Sequence, residues 1–354
     1  MTYPSGPYGY GYAPPPPPPK PGVIPLVPLT FGQLLTGAFS AYGRYWKPLV
    51  GVAAAAYGTA TAIVVGALLL AWNAVSGTVD RLSNLPKYQD PDWADLQALF
   101  VAFGCVWLVG AVCLVLATGL VHASAPVVAQ EAVVGRPIGF GAVWRRAWSR
   151  LGAVLGSVFL TVLATFVPAA LFVLGAGFLM AGTIMGIGAS GSDEGVGQLI
   201  AGLVIFLAAL ATVPFALWLW VKFSLAPAAA VIEGSGALAA LRRSAALVRG
   251  SWWRVFGCTI AMGAIVAVVS WAVQQVLSIL AWIPMSTMSF DPGDSPGAFL
   301  ASMSGLMAFV LIGSFAVQAV LAPLQPLLSA LLYVDQRIRK ENLGPVLARA
   351  AGVL

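Results

Sequence analysis

"LRRSAALVRGSWWRVFGCTIAMGAIVAVVSWAVQQVLSILAWIPM", residues 241–285, carries two signals that meet without a gap. Its first part sets Arg242, Arg243, Arg249 and Arg254 around Trp252 and Trp253, an arrangement that on its own would suit a nucleic-acid-binding helix. From Val255 to Met285 there is no charged residue at all. That run exceeds the ~20 apolar residues needed to cross the hydrocarbon core of a bilayer. A basic, aromatic helix joined directly to a membrane span reads as an interfacial helix, with its rings at headgroup depth and its arginines toward lipid phosphate. A nucleic-acid helix would have to stand clear of the membrane, so no nucleic-acid partner is expected.

The rest of the chain agrees. It is 60% hydrophobic and only 8% charged, where soluble domains carry about 25% charged residues. Six apolar blocks are long enough to span: Leu49–Val75, Leu96–Val121, Leu151–Ile187, Leu199–Val221, Val255–Met285 and Ala298–Leu321. The third exceeds one straight span and contains Pro168, so a tilt or kink is expected there. The first block begins only after a proline tract, so no signal peptide is expected. Cys105, Cys113 and Cys258 fall in or beside the blocks, where an odd number of thiols reads as small packing residues rather than a disulfide framework.

The charges between the blocks alternate in sign. The segments around Arg44 and Lys47, around Arg145, Arg146 and Arg150, from Lys222 to Arg254, and from Asp335 onward are each net positive. The three segments between them, which hold Asp90, Asp193 and Asp291, are each net negative. Lys and Arg are retained on the cytoplasmic side. The expected arrangement is therefore a bacterial cytoplasmic-membrane protein with both termini inside and an even number of spans.

The opening stretch has counterparts. "TFGQLLTGAFSAYGRYWKPLVG" (30–51) precedes the first block and "GFGAVWRRAWSRLGAVLG" (139–156) the third. Each carries Arg and Trp near its end, followed by Gly51, Gly156 or Gly257, which are 105 and 101 residues apart. "APVVAQE" (125–131) and "APAAAVIE" (226–233) echo one another as well, and the region of Pro323 and Pro326 does so more loosely. This suggests three units, at about 30–131, 138–233 and 235–335, each an amphipathic helix followed by a transmembrane hairpin. In the third, Leu238, Leu241, Ala245, Val248, Trp252 and Val255 recur at helical spacing as an apolar stripe. In the second, Phe140, Val143, Trp144, Ala147, Trp148 and Leu151 do the same. The first begins with Thr30 and Gln33 at capping-box spacing. The candidate lipid contacts are then Arg44, Lys47, Arg145, Arg146, Arg150, Arg242, Arg243, Arg249 and Arg254, with Trp46, Trp144, Trp148, Trp252 and Trp253 as interfacial aromatics.

The expected fold is all-α, with six spans in a membrane domain over 29–340, a disordered tail at 1–28 and a short cytoplasmic tail at 341–354. Residues 1–28 contain eleven prolines. Pro14–Pro19 would form a polyproline II rod, serving either as a solvated spacer or as a docking arm for a protein partner with an aromatic groove.

Motifs that carry chemistry are few. His122 is the single histidine, and an isolated histidine at a span's end reads as an interfacial residue. No nucleophile elbow, phosphate-binding loop or zinc-protease motif occurs, so no catalytic residue, metal or cofactor is assigned. Asn73, Gln274, Gln275 and Gln318 are polar residues within blocks. Gln274, Gln275 and Gln318 either bond between helices or line a polar interior for a lipid-like or small neutral solute.

At "PGVIPLVPLTFGQLLTGAF" (21–39), "LRRSAALVRGSWWRVFG" (241–257) and "LLYVDQRIRKENLGPVLARAAG" (331–352) the chain resembles an actinobacterial family of multispan membrane proteins. That family is labelled for its likeness to the membrane domain of glycerophosphoryl diester phosphodiesterase. The resemblance implies a Pro-rich tail and a multispan domain. It carries over no catalytic residue, because in the two-part enzymes catalysis belongs to a separate soluble barrel. The reading is a non-enzymatic scaffold or accessory protein that interacts with anionic lipid, with a channel or carrier as the alternative.

Overall fold

A computed structural model describes residues 21–83, 92–188, 193–287 and 313–352. Among them there is helix and no strand: α1 (Phe31–Ser83), α2 (Trp93–Val134), α3 (Phe140–Gly188), α4 (Asp193–Phe223), α5 (Ala226–Ile232), α6 (Ala237–Val248), α7 (Trp252–Thr287), α8 (313–321), α9 (Leu324–Glu341) and α10 (Leu343–Ala350). Six helices are long and apolar enough to cross a membrane: Phe31–Arg81, Trp93–Val134, Phe140–Ala181, Ile200–Ile232, Trp252–Leu280 and Gly313–Glu341. The first five overlap the first five apolar blocks and begin or end in their charged flanks, whereas the sixth shares only 313–321 with the block expected at Ala298–Leu321. The expected polyproline rod at Pro14–Pro19 and most of the sixth block, 298–312, lie outside the described residues.

Local sequence sets the helix ends. Thr30 and Gln33 form the expected box at the start of α1: Thr30 N donates to Gln33 Oε1 at 2.8 Å, and Gln33 N donates to Thr30 Oγ1 at 3.3 Å. Pro48 removes one helical donor and crowds the carbonyl four residues back. The helix bends there, with Tyr45 leaving helical geometry (φ −116°, ψ 24°). Similar breaks separate α4 from α5 and α8 from α9, each with a proline in or just before the first turn of the second helix (Pro227, Pro323 and Pro326). By contrast, α2 runs straight through Pro126.

The helices divide into two zones. At one end α9 forms the centre, with Leu327, Leu328, Leu331, Leu332 and Tyr333 all fully buried. It packs against α1, α2, α5, α6, α7 and α10. The first parts of α1, α3 and α7 and the last part of α2 close around it, burying Leu49, Val128, Val154 and Met262. Most of the arginines lie here, and this is called the basic end below. At the other end α1 runs beside α2 and α3 beside α4. Large apolar residues on these arms face outward, among them Leu70, Phe103, Trp107, Val173 and Ile200.

The tail boundary lies earlier than the sequence suggests. Residues 21–28 were expected to be disordered, yet Val23, Ile24 and Leu26 are buried in the basic end. Val23 N donates to Ala132 O at 3.0 Å. The run passes so close to α2 that a Cβ on Gly22 would sit 2.1 Å from the Ala132 carbonyl oxygen. Gly135, which caps α2 with φ +82°, touches Pro21 from the same side. Likewise the expected C-terminal tail begins inside a helix: α10 packs Ala348 into the core.

Candidate functional site

The basic end carries the candidate lipid contacts, and the structure splits them into two groups. In the first, the arginine holds a protein carboxylate or carbonyl. Arg254 donates to Asp335 Oδ2 from Nε (3.2 Å) and from its terminal nitrogen (3.0 Å), and also to the carbonyl of Leu29 (2.6 Å). Asp335 is completely buried. It also accepts the backbone N–H of Leu29 at 2.8 Å and Arg339 Nε at 3.1 Å, while Arg339 bonds the Leu29 carbonyl as well. One carboxylate, two guanidiniums and both backbone groups of Leu29 therefore satisfy one another. They tie the N-terminal run to α7 and α9.

A second node surrounds Glu233, at the end of the "APAAAVIE" stretch. Its Oε1 accepts from Arg243 Nε at 2.7 Å and from the Tyr333 hydroxyl. Arg243 also bridges to Glu341, which in turn accepts from Arg337 Nε at 2.8 Å. Partial burial works against the charge of Arg243, but its bonds to Glu233, Glu341 and Tyr333 outweigh it and hold the guanidinium above its ordinary range. Arg146 pairs with Glu131 at 2.8 Å, and Arg150 donates to the Gly234 carbonyl at 2.9 Å. Glu131, Glu233 and Asp335 are spaced 102 residues apart. Each lies five to nine residues after Pro126, Pro227 or Pro326, and each takes an arginine from another segment.

In the second group are Arg44, Lys47, Arg145, Arg242 and Arg249. All five are exposed, and among the described residues none makes an ion pair with a carboxylate. Arg44 lies 5.7 Å above the Tyr45 ring. Each stands beside an anchored partner: Tyr45 bonds the Arg136 carbonyl, Arg146 holds Glu131, Arg243 holds Glu233, and the Arg249 carbonyl receives Lys340. The five cations thus belong to one rigid end of the molecule.

The aromatics divide in the same way. Phe140, Trp144 and Trp148 stack along α3 with centroids 5.8 and 6.1 Å apart, and the outer two are exposed. Trp252 stacks on Phe256 at 5.0 Å, while its neighbour Trp253 is 77% exposed. Trp46 is exposed beside Lys47. The stripe expected to lie in lipid is largely spent on protein contact: Leu241, Val248 and Val255 are buried, and Leu238 is exposed. Val143, Ala147 and Leu151 of α3 are buried too.

The remaining polar candidates do not assemble. Gln274 accepts from Ser314 Oγ at 3.2 Å, joining α7 to α8. Gln275 and Gln318 are exposed. None of the three lines the interior cavity of about 170 Å³ that opens between α2, α3, α4, α5, α7 and α9. That cavity is lined instead by His122, Thr161, Thr165, Gln325 and Ser329, with Pro126, Pro227 and Pro326. Sequence reasoning had His122 only as an interfacial residue and missed Gln325. The available signal was the spacing of the three prolines, 101 and 99 residues. Among the described residues no three His, Cys, Asp or Glu side chains gather as a metal site.

The model of a family described as a domain of unknown function, DUF7847, matches residues 61–336, from the middle of α1 to Gln336 in α9. No curated protein and no solved structure matches the chain. The chain belongs to the DUF7847 family.

Proposed function

We propose that the protein is a non-enzymatic scaffold or accessory protein of the bacterial cytoplasmic membrane, and that its basic end rests on the inner leaflet and holds anionic lipid. Both termini are then cytoplasmic. The observation that carries this reading is the division among the basic residues. Arg243 and Arg254 are consumed by protein carboxylates, whereas Arg44, Lys47, Arg145, Arg242 and Arg249 stay exposed beside Trp46, Trp148 and Trp253 and, among the described residues, have no carboxylate partner. Each such cation near an anionic leaflet contributes about 1 kcal/mol, and exposed tryptophans prefer headgroup depth. The lipid contacts are accordingly narrower than the nine expected from sequence.

The three-unit organisation belongs to the same proposal. Its support is the convergence of Pro126, Pro227 and Pro326 on one cavity, and the 102-residue spacing of Glu131, Glu233 and Asp335. Three successive units would place corresponding residues around a common axis.

Native mass spectrometry of the protein released from its own membrane tests the lipid reading. Wild type should carry anionic lipid. The variant with Arg44, Lys47, Arg145, Arg242 and Arg249 all changed to Gln should lose it while keeping its helix content. Equal lipid retention by the two would overturn the proposal.

A further inference from the structure

The interior cavity contains polar groups that the protein itself leaves unused. Gln325 donates from Nε2 to the Thr259 carbonyl at 3.2 Å, but its buried Oε1 has no partner among the described residues. The lining residue His122 makes no hydrogen bond among the described residues, so one ring N–H and one ring acceptor are unused. The hydroxyls of Thr161, Thr165, Ser224, Thr259 and Ser329 each donate to a carbonyl of their own helix. Their remaining capacity is therefore as acceptors.

Among the described residues no Asp, Glu, Lys or Arg contributes to the lining. An ionised ligand would have to give up its hydration without a counter-charge, which is prohibitive in an apolar surround. The complementary group is uncharged and donates hydrogen bonds, as an alcohol does. Size restricts it further, since about 170 Å³ is well below the roughly 300–1,000 Å³ of pockets that enclose a whole drug-sized ligand. The floor is buried, at Pro126, Ala228, Thr259 and Pro326, while the rim residues Val162 and Trp220 are exposed on the apolar parts of α3 and α4.

We propose that this cavity binds the uncharged, hydroxyl-bearing head of an amphiphile, whose chain leaves past Val162 and Trp220 into the hydrocarbon. Gln325 Oε1 accepts the hydroxyl proton and His122 bonds the hydroxyl oxygen or a second hydroxyl. This site stands apart from the basic end's lipid contacts, which recognise charge, so either can fail without the other.

The test is photolabelling of the full chain in nanodiscs with a C16 alcohol that carries a diazirine near the hydroxyl. Label should map to peptides containing His122, Thr161–Thr165 or Gln325. Hexadecanol should compete, and hexadecanoate and hexadecane should compete at least tenfold less well. Gln325→Leu, close in volume but without the acceptor, should lower labelling about tenfold. Should that variant melt early, Thr165→Leu at the rim provides a second way to block the cavity. Label spread evenly over the outer faces of the arms, or hexadecane competing as well as hexadecanol, would mean that the cavity holds only water or bare chains and would overturn the proposal. Preferential competition by hexadecanoate would overturn its claim of an uncharged head.

Discussion

The basic end and the apolar arms are made from the same helices, yet they are specified in different ways. On the arms, Leu70, Phe103, Trp107 and Val173 turn outward, and any residue of similar hydropathy would serve there, because lipid tails are as apolar as the side chains they replace. At the basic end each contact names its partner. Asp335 requires Arg254, Arg339 and the backbone of Leu29, and Glu233 requires Arg243 and Tyr333. A span can be written by composition, whereas a buried polar node must be written residue by residue. Substitutions should therefore be felt very unequally along one helix.

The largest effect is expected at Asp335. Asp335→Ala leaves two guanidiniums and the Leu29 N–H without their acceptor, at a cost of about 3–5 kcal/mol. Thermal unfolding in detergent should show a large fall in Tm, and a fall no greater than that of an arm variant would break the comparison. Next comes Tyr333→Phe, which removes a bond to a charged acceptor worth about 1.5–3 kcal/mol and should give a smaller fall in the same assay. Thr30→Ala deletes half of the capping box at α1, for about 1 kcal/mol, and should also hasten proteolysis in the run from Pro21 to Thr30. At the bottom of the scale, Leu70→Ala on an arm should stay within about 0.5 kcal/mol. A large loss there would show that the outward face is packed against something other than lipid.

These differences also explain what could be read in the sequence. Five of the six helices long and apolar enough to cross a membrane were legible in place, because an uncharged run of ~20 residues has few other uses; the sixth, Gly313–Glu341, extends past its expected block into the charged residues of α9. The box at Thr30 and Gln33 was legible because its two halves are three residues apart. The Asp335–Arg254 pair was not, since its members are separated by 81 positions, and Arg254 read as a lipid contact while Asp335 read as one charge of the C-terminal segment. Helical periodicity revealed an apolar stripe through Leu241, Val248 and Val255, but a stripe has the same spacing whether lipid or protein covers it. The structure shows protein. Val23, Ile24 and Leu26 were hidden by the prolines around them, whose abundance signals disorder even where four apolar side chains, with Leu29, fill a groove. The cavity at His122 and Gln325 was the least legible, because neither residue carries a motif and six helices must meet to make it.

The most direct test compares melting in nanodiscs of anionic and of zwitterionic lipid, for wild type and for the variant with Arg44, Lys47, Arg145, Arg242 and Arg249 changed to Gln. A ligand that binds only the folded state raises its stability. Wild type should therefore melt higher in anionic lipid, and the variant should melt at the same temperature in both. Wild type melting equally in the two lipids would contradict the account, leaving the exposed cations as a solvated surface.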